Sequence, residues 1–248
     1  MSETIKVAVI GAAGRMGSEA VAAVEAADDM ELVGAYRRGD GLGDLGGADV
    51  AVELTVPASS PANVAHCIDR GVSVVVGTTG WDESKLDALR EKLDGAPDVG
   101  VLIAPNFSIG ALLMMKFARE AARFYESVEV VEIHHPNKVD APSGTAAHTA
   151  RAIAAGRAEA GLDDVPDATE TDPDGARGAR VDGIPVHAIR MRGRVAHQEV
   201  QFGAEGEALT IRHDSFDRVS FMPGVLTGVR GVVATPGLTV GLENFLGL

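Results

Sequence analysis

The stretch Ile5-Lys6-Val7-Ala8-Val9-Ile10-Gly11-Ala12-Ala13-Gly14-Arg15-Met16-Gly17 decides the fold class. A β-branched run passes directly into a G-x-x-G-x-x-G turn, and an alanine-rich segment of helical composition follows. Glycine allows the backbone to turn tightly and to approach a pyrophosphate, while a helix start offers unpaired N–H groups to anionic oxygen. The order strand, glycine turn, helix therefore predicts the first βαβ unit of a dinucleotide-binding sheet, although the spacing alone is also compatible with a purely structural turn.

Short β-rich runs alternate with helical stretches through the N-terminal part of the chain. Strands that lack internal alternation and are separated by helices are typical of a parallel sheet with helices on both faces. The sequence therefore predicts an α/β fold with an N-terminal Rossmann-type, doubly wound parallel sheet. The connection between Tyr36 and Val50 contains five glycines, so we expect a short loop there rather than a helix. The predicted strands are 5–10, 32–36, 50–55, 72–76 and 100–104, and the predicted helices are 15–26, 61–70 and 83–93.

The pattern changes after Ile103. Alternating apolar and polar residues indicate strands with one buried face, so we expect antiparallel strands of one mixed sheet in a second, α+β domain. Residues 156–183 are rich in Gly, Asp, Pro and Ala without periodicity, which predicts a long surface excursion. The predicted elements are an amphipathic segment 109–124, a strand 128–133, a helix opening near Thr145, strands 186–191, 197–202 and 208–213, and a helix 221–233.

Two domains follow from this organisation. We expect residues 1–105 together with 215–248 to form the dinucleotide-binding domain. Residues 106–214 are then the substrate-binding and oligomerisation domain. A chain of 248 residues is long enough for two modest cores, because single cores stop growing at about 250 to 300 residues.

The composition argues against several classes of protein. A net charge of −14 argues against a nucleic-acid partner, because phosphate backbones are held by clustered Lys and Arg. No run approaches the ~20 apolar residues of a membrane span, and the N-terminal residues do not resemble a signal peptide, so we expect a cytoplasmic protein without membrane contact. Cys67 is the only cysteine, which excludes an intramolecular disulfide and a cysteine-based zinc site.

Three further segments are candidates for the cofactor site. Arg37 and Arg38 follow the second strand, where NAD-preferring proteins place an acid on the ribose 2′-hydroxyl. Two guanidiniums can instead bind a 2′-phosphate, so they predict substantial NADPH use, with a solvated basic turn as the alternative. Gly77-Thr78-Thr79-Gly80 and Ala104-Pro105-Asn106-Phe107 each follow a strand, where ligands of open α/β sheets collect, although either is also compatible with an ordinary loop.

The segment Glu132-Ile133-His134-His135-Pro136-Asn137-Lys138-Val139-Asp140-Ala141-Pro142-Ser143-Gly144-Thr145-Ala146 concentrates polar chemistry. Histidine gives or takes a proton near pH 7, lysine holds an anion or acts as an acid, and neither role needs a metal. Ser143 is the predicted N-cap of the following helix, so the N–H groups of Gly144 and Thr145 are candidates to bind a carboxylate. The alternative is a capped loop-to-helix junction with exposed histidines.

We expect no metal site in this chain. Adjacent His134 and His135 on a strand would point to opposite faces and make poor joint ligands, and no nearby Cys or His pair completes a set. His66 and His148 are predicted to be packing or surface residues. Arg218 is a candidate cation for the substrate, with a surface role as the equal alternative.

Four motifs in order resemble the dihydrodipicolinate reductase family, whose members are also called 4-hydroxy-tetrahydrodipicolinate reductases. The likeness continues in residues 181–218 and covers almost the whole chain. The motifs are GAAGRMG at 11–17, VVGTTGWD at 75–82, APNFSIG at 104–110 and EIHHPNKVDAPSGTA at 132–146.

The resemblance implies NAD(P)H-dependent reduction of 4-hydroxy-tetrahydrodipicolinate in the diaminopimelate route to lysine, by a homotetramer. His134 takes the place of the family's proton donor and Lys138 that of its second acid. The implied cofactor contacts are Gly11, Ala12, Ala13, Gly14, Arg15, Met16, Gly17, Arg37, Arg38, Gly77, Thr78, Thr79, Ala104, Pro105, Asn106 and Phe107. The candidate substrate contacts are His135, Lys138, Ser143, Gly144, Thr145 and Arg218.

Two departures from the family pattern, and two other functions, remain open at this point. Arg37 stands where family members often carry an acid, which bears on the preference between NADH and NADPH. The connection from Tyr36 to Val50 is shorter than in some members. The alternatives are another NAD(P)-dependent dehydrogenase of amino-acid metabolism, in which the HHPNK segment has no evident task, and a non-catalytic NAD(P)-binding regulator.

Overall fold

The structure is a computed structural model that describes residues 4–248. The described chain divides into two compact units. One comprises the described residues up to Ile109 together with Arg218–Leu248, and the other is Gly110–Asp217. None of the described helices combines the length and apolar character needed to cross a membrane.

Strands and α-helices alternate through most of the described chain. The strands are β1 (Ile5–Ile10), β2 (Met30–Tyr36), β3 (Val50–Glu53), β4 (Ser73–Val76), β5 (Gly100–Ile103), β6 (Ser127–His134), β7 (Ala179–Val181), β8 (Ile184–Arg190), β9 (Ala196–Ala204), β10 (Glu207–Ser215) and β11 (Gly237–Val240). The α-helices are α1 (Arg15–Glu25), α2 (Ser60–Ile68), α3 (Glu83–Leu93), α4 (Ile109–Ala121), α5 (Gly144–Glu159) and α6 (Met222–Val233). Short 3-10 helices cover Leu45–Gly47, Arg218–Phe221 and Leu242–Phe245.

The first unit is built on a parallel six-stranded sheet in the order β11-β5-β4-β3-β1-β2. Its central strands β3, β4 and β5 are buried at every position, as expected for strands covered on both faces. Alternate side chains such as Ala8 and Ile10 pack with residues of α2 and α3. Val75 and Leu102 instead lie close to Gly228 of α6. The predicted doubly wound sheet is therefore confirmed.

Two features of the first unit differ from the sequence expectation. The sixth strand, β11, pairs with β5 from the end of the chain, where no strand was predicted. The connection between Tyr36 and Val50 is a loop as expected, but it contains a 3-10 turn whose Leu45 is completely buried against the sheet. Two leucines among five glycines carry too little periodicity to predict that anchor.

The second unit is built on a five-stranded mixed sheet in the order β10-β9-β6-β8-β7. The sheet is mixed, as predicted, but β8 runs parallel to the central strand β6, so the expectation that these strands are all antiparallel is wrong. The pattern of alternation reports which face of a strand is buried and carries no information about its direction. Helix α5 packs on β6 and β8.

Residues 156–183, predicted to be a long surface excursion, lie only partly on the surface. Helix α5 continues to Glu159, and Arg157 in its last turn is 5% exposed. The guanidinium of Arg157 donates to the carbonyl oxygens of Tyr125 and Asp163, at 2.7 Å each, which fixes the segment that follows the helix. Val165 is buried in the core, and Ala179–Val181 forms the edge strand β7. Isolated buried residues in a polar segment escape a periodicity analysis.

Candidate active site

The glycine turn between β1 and α1 has no room for a side chain at Gly11 or at Gly17. Gly11 adopts a φ of +93°, and a Cβ there would lie 2.6 Å from the carbonyl oxygen of Leu54. A Cβ on Gly17 would lie 2.1 Å from the carbonyl oxygen of Gly11. The turn and the first turn of the helix are therefore in direct backbone contact, which requires glycine at both positions.

Helix α1 begins without a side-chain cap. Its N-cap is Gly14, and the first turn holds no acidic residue. The exposed residues Ala13, Gly14 and Arg15 surround this helix start. An uncapped helix N-terminus next to a glycine-rich turn has the donor set and the dipole sign that suit an anionic pyrophosphate. The residues therefore fit the cofactor's phosphates.

Arg37 and Arg38 lie directly beside the glycine turn. The N–H groups of Gly11 and Ala12 both donate to the carbonyl oxygen of Tyr36, at 2.9 Å, which ties the turn to the end of β2. Both arginines are exposed, and the Arg37 backbone N–H donates to Asp40 Oδ2 at 2.7 Å. Within residues 4–248 neither guanidinium has an ion-pair partner.

The other two cofactor segments follow β4 and β5 at the same edge of the sheet. Gly77 donates its N–H to the carbonyl oxygen of Glu53, and Ala104 donates to that of Val76. A Cβ on Gly77 would lie 2.6 Å from the ring of Phe107, so the two segments touch. Thr78 Oγ1 is buried and has no hydrogen-bond partner within residues 4–248. A buried hydroxyl without a partner costs free energy, so it suits a polar group of a bound cofactor.

Glu53, which the sequence analysis did not single out, supports this edge of the sheet. It ends β3 and is completely buried. Its carboxylate accepts hydrogen bonds from Ser60 Oγ at 2.6 Å, from Asn63 Nδ2 at 3.2 Å, and from the hydroxyl and backbone N–H of Thr55. These bonds connect the loop after β3 to the start of α2, and the loop in turn contacts Gly11.

In the second unit, the end of β6 brings a carboxylate and an imidazole together. Residues 132 and 134 lie on the same side of the strand because side chains alternate. Glu132 is completely buried, and its Oε2 lies 2.5 Å from Nδ1 of His134. The His134 side chain is 12% exposed. Its other ring nitrogen, Nε2, has no hydrogen-bond partner within the described part of the chain.

Arg190, at the end of β8, completes this arrangement. Register places it opposite His134 in the parallel pair β6 and β8. Its two terminal nitrogens donate to the two oxygens of Glu132 at 2.7 Å each, and one of them also donates to the carbonyl oxygen of Asp140. Burial raises the pKa of Glu132, but the hydrogen bonds from His134 and Arg190 outweigh that effect and lower it to about 2.

The same carboxylate fixes the start of α5. Ser143 donates its backbone N–H to Glu132 Oε1 at 3.1 Å. The Ser143 hydroxyl accepts from the N–H of Ala146 at 3.2 Å, so the predicted N-cap is present. Gly144 is exposed, and nothing lies within 4 Å of the position of a Cβ. The start of α5 is therefore held by the buried Glu132 carboxylate, while Gly144 remains accessible to solvent.

Lys138 and His135 lie in the loop between β6 and α5. Lys138 Nζ forms an ion pair with Asp140, and this hydrogen bond lowers the pKa of the Asp140 carboxyl group. His135 is partly buried, and its Nδ1 has no hydrogen-bond partner within residues 4–248. A buried ring nitrogen without a partner suits a polar ligand or a water molecule. The peptide bond between Ala141 and Pro142 is cis.

The candidate residues therefore fall into two groups, one in each unit. The glycine turn, the two arginines and the segments after β4 and β5 belong to the first unit, and the histidine segment belongs to the second. Arg218 begins the returning segment of the first unit as the first residue of a 3-10 helix. Among residues 4–248 no cluster of three or more His, Cys, Asp or Glu side chains could hold a metal ion.

Sequence reasoning missed Glu132 and Arg190 as members of the site. Glu132 has a signal in the sequence, because an acid two positions before a candidate histidine on a strand shares its face. Arg190 has none, because it lies 58 positions from Glu132 and only the register of β8 brings it there.

Comparison with known proteins identifies the family. The family model described as dihydrodipicolinate reductase, N-terminus, matches residues 5–107, and that described as dihydrodipicolinate reductase, C-terminus, matches residues 110–246. The chain belongs to the dihydrodipicolinate reductase family. The resemblance inferred from the four sequence motifs is confirmed.

Relatives within this reductase family match the chain over nearly its full length. A 4-hydroxy-tetrahydrodipicolinate reductase of Streptomyces griseus subsp. griseus is 66% identical over 246 residues, which is 98% of each chain. One of Cutibacterium acnes is 62% identical over 244 residues, covering 98% of this chain and 99% of the relative. A dipicolinate-bound dihydrodipicolinate reductase of Paenisporosarcina sp. TG-14 is 38% identical, with a TM-score of 0.85 over 97% of this chain and 99% of that one.

Proposed function

We propose that this chain uses NAD(P)H to reduce 4-hydroxy-tetrahydrodipicolinate to tetrahydrodipicolinate, in the diaminopimelate route to lysine. The observation that carries the proposal is the arrangement at the end of β6 in a member of this family. There an imidazole bound to a buried carboxylate, an ammonium group and a helix start lie on one short segment. These are the groups needed to bind a dicarboxylate and to protonate it.

The first unit is proposed to hold the cofactor, which supplies the hydride when bound. Gly11 through Gly17 bind its pyrophosphate through the glycine-rich turn and the start of α1. The segments 77–79 and 104–107 line the edge of the sheet, and the buried Thr78 hydroxyl offers a hydrogen bond there. The backbone contacts of Gly11 and Gly17 explain why these two positions of the turn require glycine.

His134 is proposed to be the general acid. Addition of hydride to an unsaturated ring carbon builds up electron density on the substrate, and a proton must neutralise it. Glu132 accepts the hydrogen on Nδ1 and stabilises the positively charged imidazolium, so the proton leaves from Nε2. Loss of water from the hydroxylated substrate precedes the reduction.

Lys138, His135 and the start of α5 are proposed to hold the substrate's carboxylates. The ammonium group of Lys138 is available as a cation or as a second acid, and Asp140 holds it in place. Gly144 and Thr145 present the N-terminal end of α5, whose dipole favours a negative charge. His135 contributes its ring, and Ser143 contributes indirectly by capping the helix. Arg218 is proposed to supply one more cation for the substrate.

A preference for NADPH is proposed from Arg37 and Arg38. Both side chains are exposed beside the turn, and no acid pairs with them within residues 4–248. Guanidinium groups bind a 2′-phosphate bidentately, whereas an acid would repel it. We further propose that the chain assembles into a homotetramer and acts in the cytoplasm, as the family resemblance implies. Light scattering coupled to gel filtration would measure the assembly directly.

The function is tested by following the oxidation of NADPH by absorbance. The substrate is generated in the cuvette by enzymatic condensation of pyruvate with aspartate semialdehyde. Turnover that depends on both condensation partners is the expected result. Cofactor binding without turnover would instead favour a regulator. Turnover of homoserine or aspartate in the reverse direction, with none of the condensed substrate, would favour another dehydrogenase.

A further inference from the structure

We propose that Glu132 is a positioning residue that fixes His134 in one tautomer. The same carboxylate also fixes the position of this proton donor relative to the helix start that is proposed to bind the substrate. The inference rests on the proposed function, since it concerns the residue that orients the acid. Glu132 contacts neither substrate nor cofactor in this proposal. It acts through His134, Ser143 and Arg190.

The first argument is the contact with the imidazole. Glu132 Oε2 lies 2.5 Å from His134 Nδ1, and a carboxylate in its ionised form only accepts hydrogen bonds. The proton on His134 in the neutral ring must therefore sit on Nδ1. Nε2 therefore binds the second proton of the imidazolium. This is the proton that passes to the substrate, and Nε2 takes up another one afterwards. The contact also prevents the ring from flipping, because a flipped ring would place a carbon atom against the carboxylate.

The second argument is that the carboxylate is shared between two parts of the site. Oε1 accepts the backbone N–H of Ser143, the residue that caps α5, while Oε2 accepts from His134. The guanidinium of Arg190 bridges both oxygens and also donates to the carbonyl oxygen of Asp140, two residues after Lys138. One buried group thus sets the positions of the acid, the ammonium-bearing loop and the helix start together.

The third argument is the free-energy cost of burying the Glu132 carboxylate. Glu132 is completely buried, and a buried carboxylate is expensive unless charges and hydrogen bonds compensate it. Here the compensation comes from Arg190 and from the imidazole of the reacting residue itself. A carboxylate that served packing alone would have no need to bind a partly exposed imidazole.

The ionisable groups around His134 belong to three elements. Glu132 precedes it on its own strand, and Arg190 lies opposite on β8. The remaining groups are His135, Lys138 and Asp140 in the following loop, whereas His197 on β9 pairs with Ile133 and therefore lies on the opposite face of the sheet. Of these, Glu132 alone hydrogen-bonds the His134 ring. Removing its charge therefore changes the imidazole directly.

The test replaces the carboxylate without changing its shape, in Glu132→Gln. The amide nitrogen cannot accept from Arg190 or Ser143, and the negative charge that stabilises the imidazolium is lost. We expect kcat to fall about 10- to 100-fold with NADPH affinity unchanged. In this proposal the protonated imidazole is the active form, so kcat should decline at high pH, and this decline should move to lower pH in the variant. Glu132→Asp, which keeps the charge, should restore the position of the decline.

Glu129→Gln is a matched control. Glu129 lies on the same strand and also binds an arginine and a histidine, Arg177 and His187, away from the proposed active-site segment. The control should leave both kcat and its pH dependence as in the wild type. If Glu132 served stability alone, Glu132→Gln would lower the melting temperature without moving the pH profile, and that outcome would overturn the proposal.

A measurement on the wild-type chain keeps the proposal testable if Glu132→Gln does not fold. Protein labelled with ¹⁵N-histidine reports the tautomer of each ring by NMR, and the spectrum of His134→Gln assigns the signal. Neutral His134 should carry its proton on Nδ1, and a proton on Nε2 would refute the inference. Absence of wild-type turnover would instead refute the proposed function, whatever the tautomer, so the two failures are distinguishable.

Discussion

Glu53 and Glu132 are both completely buried at the carboxyl end of an interior strand, one in each unit, yet their surroundings differ. Glu53 is bound by hydroxyl, amide and backbone donors that lie within ten positions of it in the chain. Glu132 is bound by a guanidinium from a strand 58 positions away, by an imidazole and by a helix cap. The donors to Glu53 are therefore neutral and close to it in the sequence. The donors to Glu132 include a charged guanidinium that is distant in the sequence.

The difference indicates what each carboxylate does. Neutral donors from one short segment can only hold that segment, so Glu53 anchors the loop that lies against Gly11. Cationic donors couple the carboxylate to the protonation state of a neighbour, so Glu132 acts on the proposed acid itself. In this account Glu53 supports a loop of the proposed cofactor site, and Glu132, which is equally buried, supports the proton transfer by His134.

The largest effect should come from removing the acid that Glu132 orients. His134→Gln removes the proton donor, and general acid catalysis typically contributes 10²- to 10⁴-fold, so we expect kcat to fall by about that factor. The dissociation constant for NADPH, measured by fluorescence titration, should not change. His148→Gln, at an exposed position of α5, is the control. A parallel loss of NADPH affinity in His134→Gln would mean that the segment is structural.

Replacing the other carboxylate should have the opposite profile. In Glu53→Gln one donor of the network faces an amide nitrogen, and an unmet buried hydrogen bond costs about 1–3 kcal/mol of unfolding free energy. We expect weaker NADPH binding and a lower Tm, with the pH dependence of kcat unchanged. The exposed Glu31→Gln on β2 controls for the loss of charge. A shifted pH profile in Glu53→Gln would remove the distinction between the two carboxylates.

A smaller effect is expected on the cofactor side alone. Arg38→Ala removes one guanidinium from the end of β2, and a charged hydrogen bond contributes about 1.5–3 kcal/mol, so kcat/KM for NADPH should fall at least about tenfold. The value for NADH should stay within about twofold, since NADH has no 2′-phosphate. Steady-state kinetics with both cofactors measures this. An unchanged NADPH value would refute the role of Arg38.

The smallest effect concerns stability in acid. Burial raises the pKa of Glu132, and hydrogen bonds from His134 and Arg190 then lower it to about 2, below the ~4.3 of an unfolded glutamate. A carboxyl group with a depressed folded-state pKa contributes stability above the unfolded value, and this contribution is lost as pH falls toward 2. Urea unfolding between pH 5 and ~2 should therefore show a shallower decline for Glu132→Gln than for the wild type. Equal slopes would contradict the depressed pKa.

The fold of the first unit follows from sequence because its strands are buried on both faces and therefore read as apolar runs. β11 was missed, since none of the residues Gly237–Val240 at the sheet edge is fully buried. In the second unit, alternation located β8 but did not give its direction, which depends on pairing with β6. Local patterns report burial, whereas strand order and direction depend on partners far away in the chain.

The candidate site could be located from sequence, but its organisation could not. Family likeness named His134 and Lys138, and the cap at Ser143 was predicted from residue type and confirmed. Arg190 and Glu53 were missed because their importance lies in contacts rather than in a motif. Lys138 was predicted to hold an anion or to act as an acid, and its pairing with Asp140 was not foreseen, although the two lie on one short loop.

The most direct measurement combines the reaction with an isotope label. The condensed substrate is incubated with the chain and with NADPH that carries deuterium at the hydride position, and the product is analysed by mass spectrometry. The account predicts a product that has lost one water molecule from the substrate and gained two hydrogen atoms. One of these two is the deuterium delivered as hydride by the cofactor. A product without deuterium, or substrate recovered unchanged in the presence of folded protein, would contradict it.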